Sequence, residues 1–365
     1  MRQRIYTIDL ARGITIFFMF VVHVKLTLST PEVCDSIFAD ILNFGDIFGA
    51  PLFMAAMGIS FYLSRHTDLL SGIKRGFYIL FLAYFLIFLR GVVPVFLIRT
   101  FHPQRAAELP KAVMSYKIEL LNMDILHFAG LALIVMAVIR HFNLNRYFLL
   151  LTAATIAMAG PYLWGLETGL PVVDYFLDFL WGERPLDDKL YLGLIAFPFF
   201  PWMAYVLVGM SIGITLKHTD NPDRLFAKMG LTGLAVMGLS LIWLIPNFDY
   251  QINDIYHARF GYVLFVVGLL LVILYGCSWV EPRIRGSRIS GILIYWSKNV
   301  NRIYMIQWVI VMWLGFFVFG YHKSGYIITI LMMVAVTVST HILNERYLGW
   351  KSRKRHLPLP IREKD

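Results

Sequence analysis

The sequence predicts an all-α fold: a polytopic integral membrane helix bundle of about ten transmembrane helices, with both termini cytoplasmic. Composition is the first reason. Of 365 residues, 58% are hydrophobic and only 15% charged, with a mean hydropathy of +0.66; soluble domains are about 45–50% apolar and about 25% charged. Second, apolar runs recur at roughly 20 residues, the length that crosses a hydrocarbon core of about 30 Å at about 1.5 Å per residue. Third, most of the 33 Lys and Arg residues fall in alternate connectors, among them Arg2, Arg4, Arg65, Lys74, Arg75 and the tail from Arg346 to Lys364, which places those connectors inside.

The expected spans lie near 8–28, 46–64, 76–98, 123–140, 146–164, 191–216, 230–246, 260–279, 300–320 and 326–344. The first starts within ten residues of Met1 yet holds Asp9 and Arg12 and lacks a small-residue cleavage pattern, so it reads as a retained helix. The third, "FLIFLRGVVP", carries a lone Arg90 in its outer half, for which Asp124 and Asp46 are the candidate partners. The fourth opens on "LNMDILHFAGLALI", where Asp124 and His127 are three apart and share a face. That pair reads either as a carboxylate orienting an imidazole or as a helix cap.

Between the fifth and sixth spans, residues 165–190 mix aromatics with Asp174, Asp178, Glu183, Asp187 and Asp188, as the lip of a pocket or an amphipathic connector does. The sixth, "FPFFPWMAYVLVGMSIG", opens with Pro198 and Pro201. Two prolines there either free backbone carbonyls beside a cavity or punctuate the helix start, and Gly209 and Gly213 suit close helix contact. Before and within the ninth, "YWSKNVNRIYMIQW" sets Asn299, Asn301, Arg302, Tyr304, Gln307 and Trp308 at a polar inner mouth. Residues 1–350 thus form a single transmembrane domain, and 351–365 a basic cytoplasmic tail.

The formal charge of +10 reflects topology and contact with anionic membrane lipids, and nucleic-acid binding is not expected. Cys34 and Cys277 fall at opposite ends of the bundle, too far apart for a disulfide. With no dense Cys/His run, no metal site is expected.

The sharpest anomaly is "DLARGITIFFMFVVH". At about 100° per residue, Arg12 and His23 return to nearly one face about 16 Å apart. Asp9 can pair with Arg12 as a structural ion pair. Ionisable residues within a span mark a polar cavity by default; the alternative is a packed histidine donating to a backbone carbonyl beside an arginine that snorkels inward.

Arg12 followed by ten residues and His23 resembles the Arg-x10-His pattern of the acyltransferase-3 family. The wider phrasing is closer to the heparan-α-glucosaminide N-acetyltransferase-like proteins. "IDLARGITIFFMFVVH" is similar to their first catalytic helix and "FGAPLFMAAMGISFYLSR" to the second. "MDILHFAGLALI" resembles their aspartate-containing helix start, "FPFFPWMAYVLVGMSIG" their Phe-Pro-x-x-Pro-Trp helix, and "NVNRIYMIQW" a late helix with a Tyr-x3-His/Gln run. Gln307 stands where many acyltransferase-3 sequences have His.

The resemblance implies a membrane enzyme that moves an acetyl group from cytoplasmic acetyl-CoA to an amino sugar or sugar hydroxyl of glucosamine type. By it His23 is the catalytic histidine, Arg12 its partner, and Asp124 and His127 further catalytic or acceptor-site residues. Attack on a thioester needs a base, donors for the oxyanion and cations for the CoA phosphates. Imidazole, with an unperturbed pKa of about 6.5, is a base at neutral pH. The phosphates fall to Arg75, Arg285, Arg288 and Lys298 with Arg12, Asn299 and Arg302 on the way in. A bacterial inner membrane is the expected location, and a homodimer is compatible with the family. The rival class is a proton-coupled transporter or flippase, in which His23, Asp124 and Arg90 form a relay.

Overall fold

The computed structural model describes residues 5–64, 68–111, 113–182, 195–252, 256–257 and 259–355. Arg2, Arg4, Arg65, Glu183, Asp187, Asp188 and most of the basic tail, from 356 on, lie outside the described residues. The principal helices are α1 (Tyr6–Leu28), α2 (Ile37–Leu63), α3 (Leu69–Phe101), α4 (Ile125–His141), α5 (Arg146–Leu163), α6 (Phe199–Lys217), α7 (Pro222–Leu244), α8 (Phe260–Ile284), α9 (Arg288–Lys298), α10 (Val300–Phe319) and α11 (Tyr326–Arg355). Among the described residues there is no strand, only isolated bridges such as Ser29 with Ser324.

Eight of these helices are long and apolar enough to cross a membrane. The other two expected spans correspond to α4, apolar but 17 residues long, and α5, of 18 residues. Several helices overrun the apolar windows because caps, not hydropathy, decide where they begin. Ser36 accepts from the Ala39 N–H at 3.3 Å and starts α2 well before residue 46. Asp68 accepts from the Ser71 N–H at 2.9 Å and starts α3 seven residues ahead of the expected 76. Each supplies an acceptor to a first-turn donor that has no partner within the helix.

The bundle is built from paired contacts: α1 on α2, α2 on α6, α5 on α6, α3 on α4, α7 on α8, α9 on α1 and α10 on α11. At the α2–α6 crossing the backbones touch. A Cβ on Gly209 would run into the Ala55 carbonyl, and one on Gly58 into that of Val206, so only glycine permits this approach. Pro198 is the residue before α6 and Pro201 falls in its first turn, where a missing N–H costs nothing. The proline pair thus punctuates the helix start.

Two π-helical turns interrupt the spans, Phe88–Val92 in α3 and Gly315–Phe319 in α10. Pro94 lacks the N–H that would close onto the Arg90 carbonyl, and its ring opposes a regular turn there. Side chains satisfy carbonyls at both: Trp313 Nε1 donates to Leu89 O at 2.9 Å, and Arg105 Nε to Phe316 O at 2.7 Å. In the connector leading to the helix Pro171–Trp181, the Thr168 N–H and hydroxyl donate to Asp174 at 2.6 and 2.8 Å, which holds that carboxyl below its ordinary value. Cys34 and Cys277 are free thiols.

Candidate active site

A cavity of about 310 Å³ lies between α1, α2 and α10 and is roofed by the start of α4 and the segment leading into α6. Its wall runs from Thr15 to Thr27 on α1 and from Val300 to Met312 on α10. At about 1.5 Å per residue both stretches are about 18 Å long. The cavity is thus a lengthwise passage, with His23 well along it.

The His23 imidazole Nδ1 meets Gln307 Oε1 at 3.2 Å, and the fully buried Gln307 donates from Nε2 to the Met19 carbonyl at 3.2 Å. Met19 is one turn before His23, so a single amide reads both the backbone and the ring. With its NH₂ turned to a carbonyl, Gln307 offers His23 only an oxygen. The neutral ring therefore carries its proton on Nδ1 and leaves the Nε2 lone pair unprotonated. Trp308 stacks on the ring with centroids 4.0 Å apart and 29° between planes, and Tyr304 meets it edge-on at 5.9 Å.

Beyond Trp308 lies Arg90, whose guanidinium carbon is 4.9 Å from the indole centroid. Arg90 is only 6% exposed. It pairs with Asp124 at 3.4 Å and donates to Asn122 Oδ1 at 3.1 Å. Tyr304 Oη donates to the same Asp124 oxygen at 3.3 Å. Of the two partners considered for Arg90, Asp124 is the one in contact. The widened turn at Phe88–Val92 carries this arginine, and π turns of this kind recur at functional sites.

Asp124 also caps α4: its Oδ1 accepts from the Leu126 N–H at 2.9 Å, while the Asp124 N–H donates to His127 Nδ1 at 3.2 Å. This is a reciprocal capping box with histidine at the third position. Since His127 Nδ1 is occupied as an acceptor, it cannot donate to the carboxylate 3.3 Å away. His127 is 1% exposed, packs edge-on against Tyr84 at 4.8 Å and does not line the cavity.

Two further charged groups reach the cavity region. Lys25 donates to Asp46 at 3.0 Å and to Asn43, so Asp46 is matched. Glu119, from the short helix Tyr116–Leu121, lines the cavity near Arg90 and is 8% exposed. Burial pushes its carboxyl up from the ordinary value, against the pull of Arg90. Its Oε2 lies where a Cβ on Gly91 would be, so a side chain at residue 91 would displace this carboxylate.

The remaining candidates fall elsewhere. Asp9 is buried and accepts from the Ser297 hydroxyl at 3.0 Å. Arg12, half-buried in the first half of α1, is outside the cavity lining. Arg285 makes two hydrogen bonds of 2.7 Å to Glu281. Arg302 donates to Asn299 and, at 3.1 Å, to Asn344. Arg75, Arg288 and Lys298 are exposed. Arg75 sits on α3, packed on α4, while Arg288 and Lys298 sit on α9, packed on α1. None of these basic residues lines the cavity, whereas Asn301 does. Among the described residues no group of three or more His, Cys, Asp or Glu is placed to hold a metal.

Residues 4–248 match the family described as heparan-alpha-glucosaminide N-acetyltransferase, catalytic. No curated protein matches the chain. The family match takes in His23, Arg90, Glu119 and Asp124 and stops short of Tyr304, Gln307 and Trp308. Covering more than half of the sequence, it shows that this multi-pass helical chain belongs to the heparan-alpha-glucosaminide N-acetyltransferase catalytic family.

Proposed function

We propose that the protein is a membrane-embedded acetyltransferase that moves an acetyl group from acetyl-CoA to an amino sugar, with His23 as the base. The observation that carries the reading is the fixed tautomer of His23 in the wall of an 18 Å-long cavity (about 1.5 Å for each of twelve helical steps). The acceptor nitrogen attacks the thioester carbon, forming the N–C bond. His23 Nε2 takes the departing N–H proton, and the C–S bond breaks. The same proton then passes to sulfur, so that CoA leaves as the free thiol. Arg90, held by Asp124 and Asn122, supplies positive potential for the oxyanion.

Both termini are cytoplasmic in this reading, and the membrane is a bacterial inner membrane. The pantetheine arm enters at the end lined by Thr15 and Asn301. The CoA phosphates stay outside the cavity, where the exposed Arg288 and Lys298 flank α9 just ahead of Asn301. His127 serves as a capping residue.

The test is turnover of acetyl-CoA with glucosamine by the purified protein, followed by release of CoA thiol. His23→Ala is expected to lower it by about 10²–10⁴-fold with acetyl-CoA binding retained. Labelled acetyl held on the protein without acceptor, and lost in His23→Ala, identifies an acetyl-histidine; none identifies direct transfer. Absence of acetyl-CoA binding in the wild type sinks the reading and returns the chain to the carrier class.

A further inference from the structure

Among the described residues, the charges around the cavity do not sum to zero. Arg90 is matched by Asp124 and Asp46 by Lys25, which leaves Glu119 as a surplus carboxylate. It is more than nine-tenths buried and lines the cavity, and among the described residues it makes no hydrogen bond or ion pair. The cation whose field reaches it, Arg90, is already engaged by Asp124 and Asn122. A buried carboxylate in that state is strongly unfavourable unless a cation arrives to compensate it. The carboxylate occupies the space that a side chain at Gly91 would fill.

We propose that Glu119 is the residue that selects the acceptor, its carboxylate binding the ammonium of a protonated, amine-bearing substrate at this end of the cavity. The inference rests on the acetyl-transfer reading above. An ammonium has no lone pair with which to attack a thioester. The bound ammonium therefore gives its first proton to Glu119: an N–H bond breaks, an O–H bond forms, and a neutral amine remains. Its second proton goes to His23 during attack and on to the CoA sulfur, and Glu119 gives the first proton to water before the next ammonium binds. Burial, by raising the affinity of this carboxyl for a proton, suits it to the transfer.

The experiment compares wild type with Glu119→Gln and Glu119→Asp in two readouts. Calorimetric binding of glucosamine and glucose at pH 7 is expected to show a wild-type preference for the amine of about tenfold or more, lost in Glu119→Gln and partly kept in Glu119→Asp. In turnover, Glu119→Gln is expected to lose about tenfold or more in kcat/KM on glucosamine, and far less on an aminooxy sugar, whose nitrogen is uncharged at pH 7. Its Tm should equal or exceed that of wild type, since an unpaired charge has been removed; a structural carboxylate would lower it. A preference for glucosamine that survives in Glu119→Gln, or an equal loss on both acceptors, overturns the proposal. A wild type that prefers glucosamine but does not turn over acetyl-CoA supports the ammonium site and overturns the acetyl-transfer reading beneath it.

Discussion

Two buried cations pair with carboxylates that line the cavity, and they are held differently. Lys25 sits with Asp46 and Asn43, one charge against one charge. Arg90 sits with Asp124, Asn122, Trp308 and a second carboxylate, Glu119, close by. The first group closes on itself. The second shares its charge with the histidine's stacking partner and leaves a carboxylate over. A balanced pair is complete in itself; a group with a surplus is arranged for something that arrives later, in keeping with the way perturbed charges gather at working sites.

The largest expected effect breaks the second group. Arg90→Met leaves Asp124 without its cation and should destabilise the protein by about 3–5 kcal/mol in thermal or denaturant unfolding. A loss under about 1 kcal/mol would mean that the two groups do not differ as described. Next is Gln307→Leu, which removes the acceptor that keeps the His23 proton on Nδ1. Turnover should fall by about 10²-fold or more, as for other histidines freed into the wrong tautomer, while Gln307→Glu should restore the acceptor and move the acid limb of the pH–rate profile upward by stabilising imidazolium. An unshifted limb would remove Gln307 from control of the base.

A smaller effect tests how Arg90 is carried. Trp313→Phe deletes the donor to Leu89 O in the π turn and should cost about 1 kcal/mol, with faster amide exchange confined to residues 88–94. The smallest effect sharpens the other side of the comparison. Replacing the balanced pair together, Lys25→Met with Asp46→Leu, should leave stability within about 1 kcal/mol of wild type, although Lys25→Met alone should be clearly destabilising. If the double variant is as unstable as the single one, the pair is more than a closed unit.

Much of this was legible in the sequence, and the reasons differ by residue. The helices were visible because each needs an apolar run of fixed length, and their true starts were hidden because caps such as Ser36 and Asp68 act through a single hydrogen bond. His23 stood out as an imidazole in a greasy stretch. Arg90 announced its need for a partner, and Asp124 was one of two named. Asp124 and His127 were visible as a pair, but spacing alone could not decide between a cap and a dyad; the direction of one N–H at Nδ1 does. Gln307 read only as a departure from a family pattern, because its role depends on a carbonyl 288 residues earlier in the chain. Glu119 gave no signal, being one acid in the connector "SYKIELLNMD". The basic residues meant for CoA followed from their place in the inner connectors, and a place in a connector does not say which side chains approach a cavity.

Gly91 has a consequence for anyone wishing to test the acceptor selection proposed for Glu119. Its missing side chain makes the space into which Glu119 settles, so substituting alanine there would evict a carboxylate from the cavity without touching that carboxylate's own codon. Electrical character in this chamber is adjustable from the backbone side, by a methyl group on the neighbouring helix.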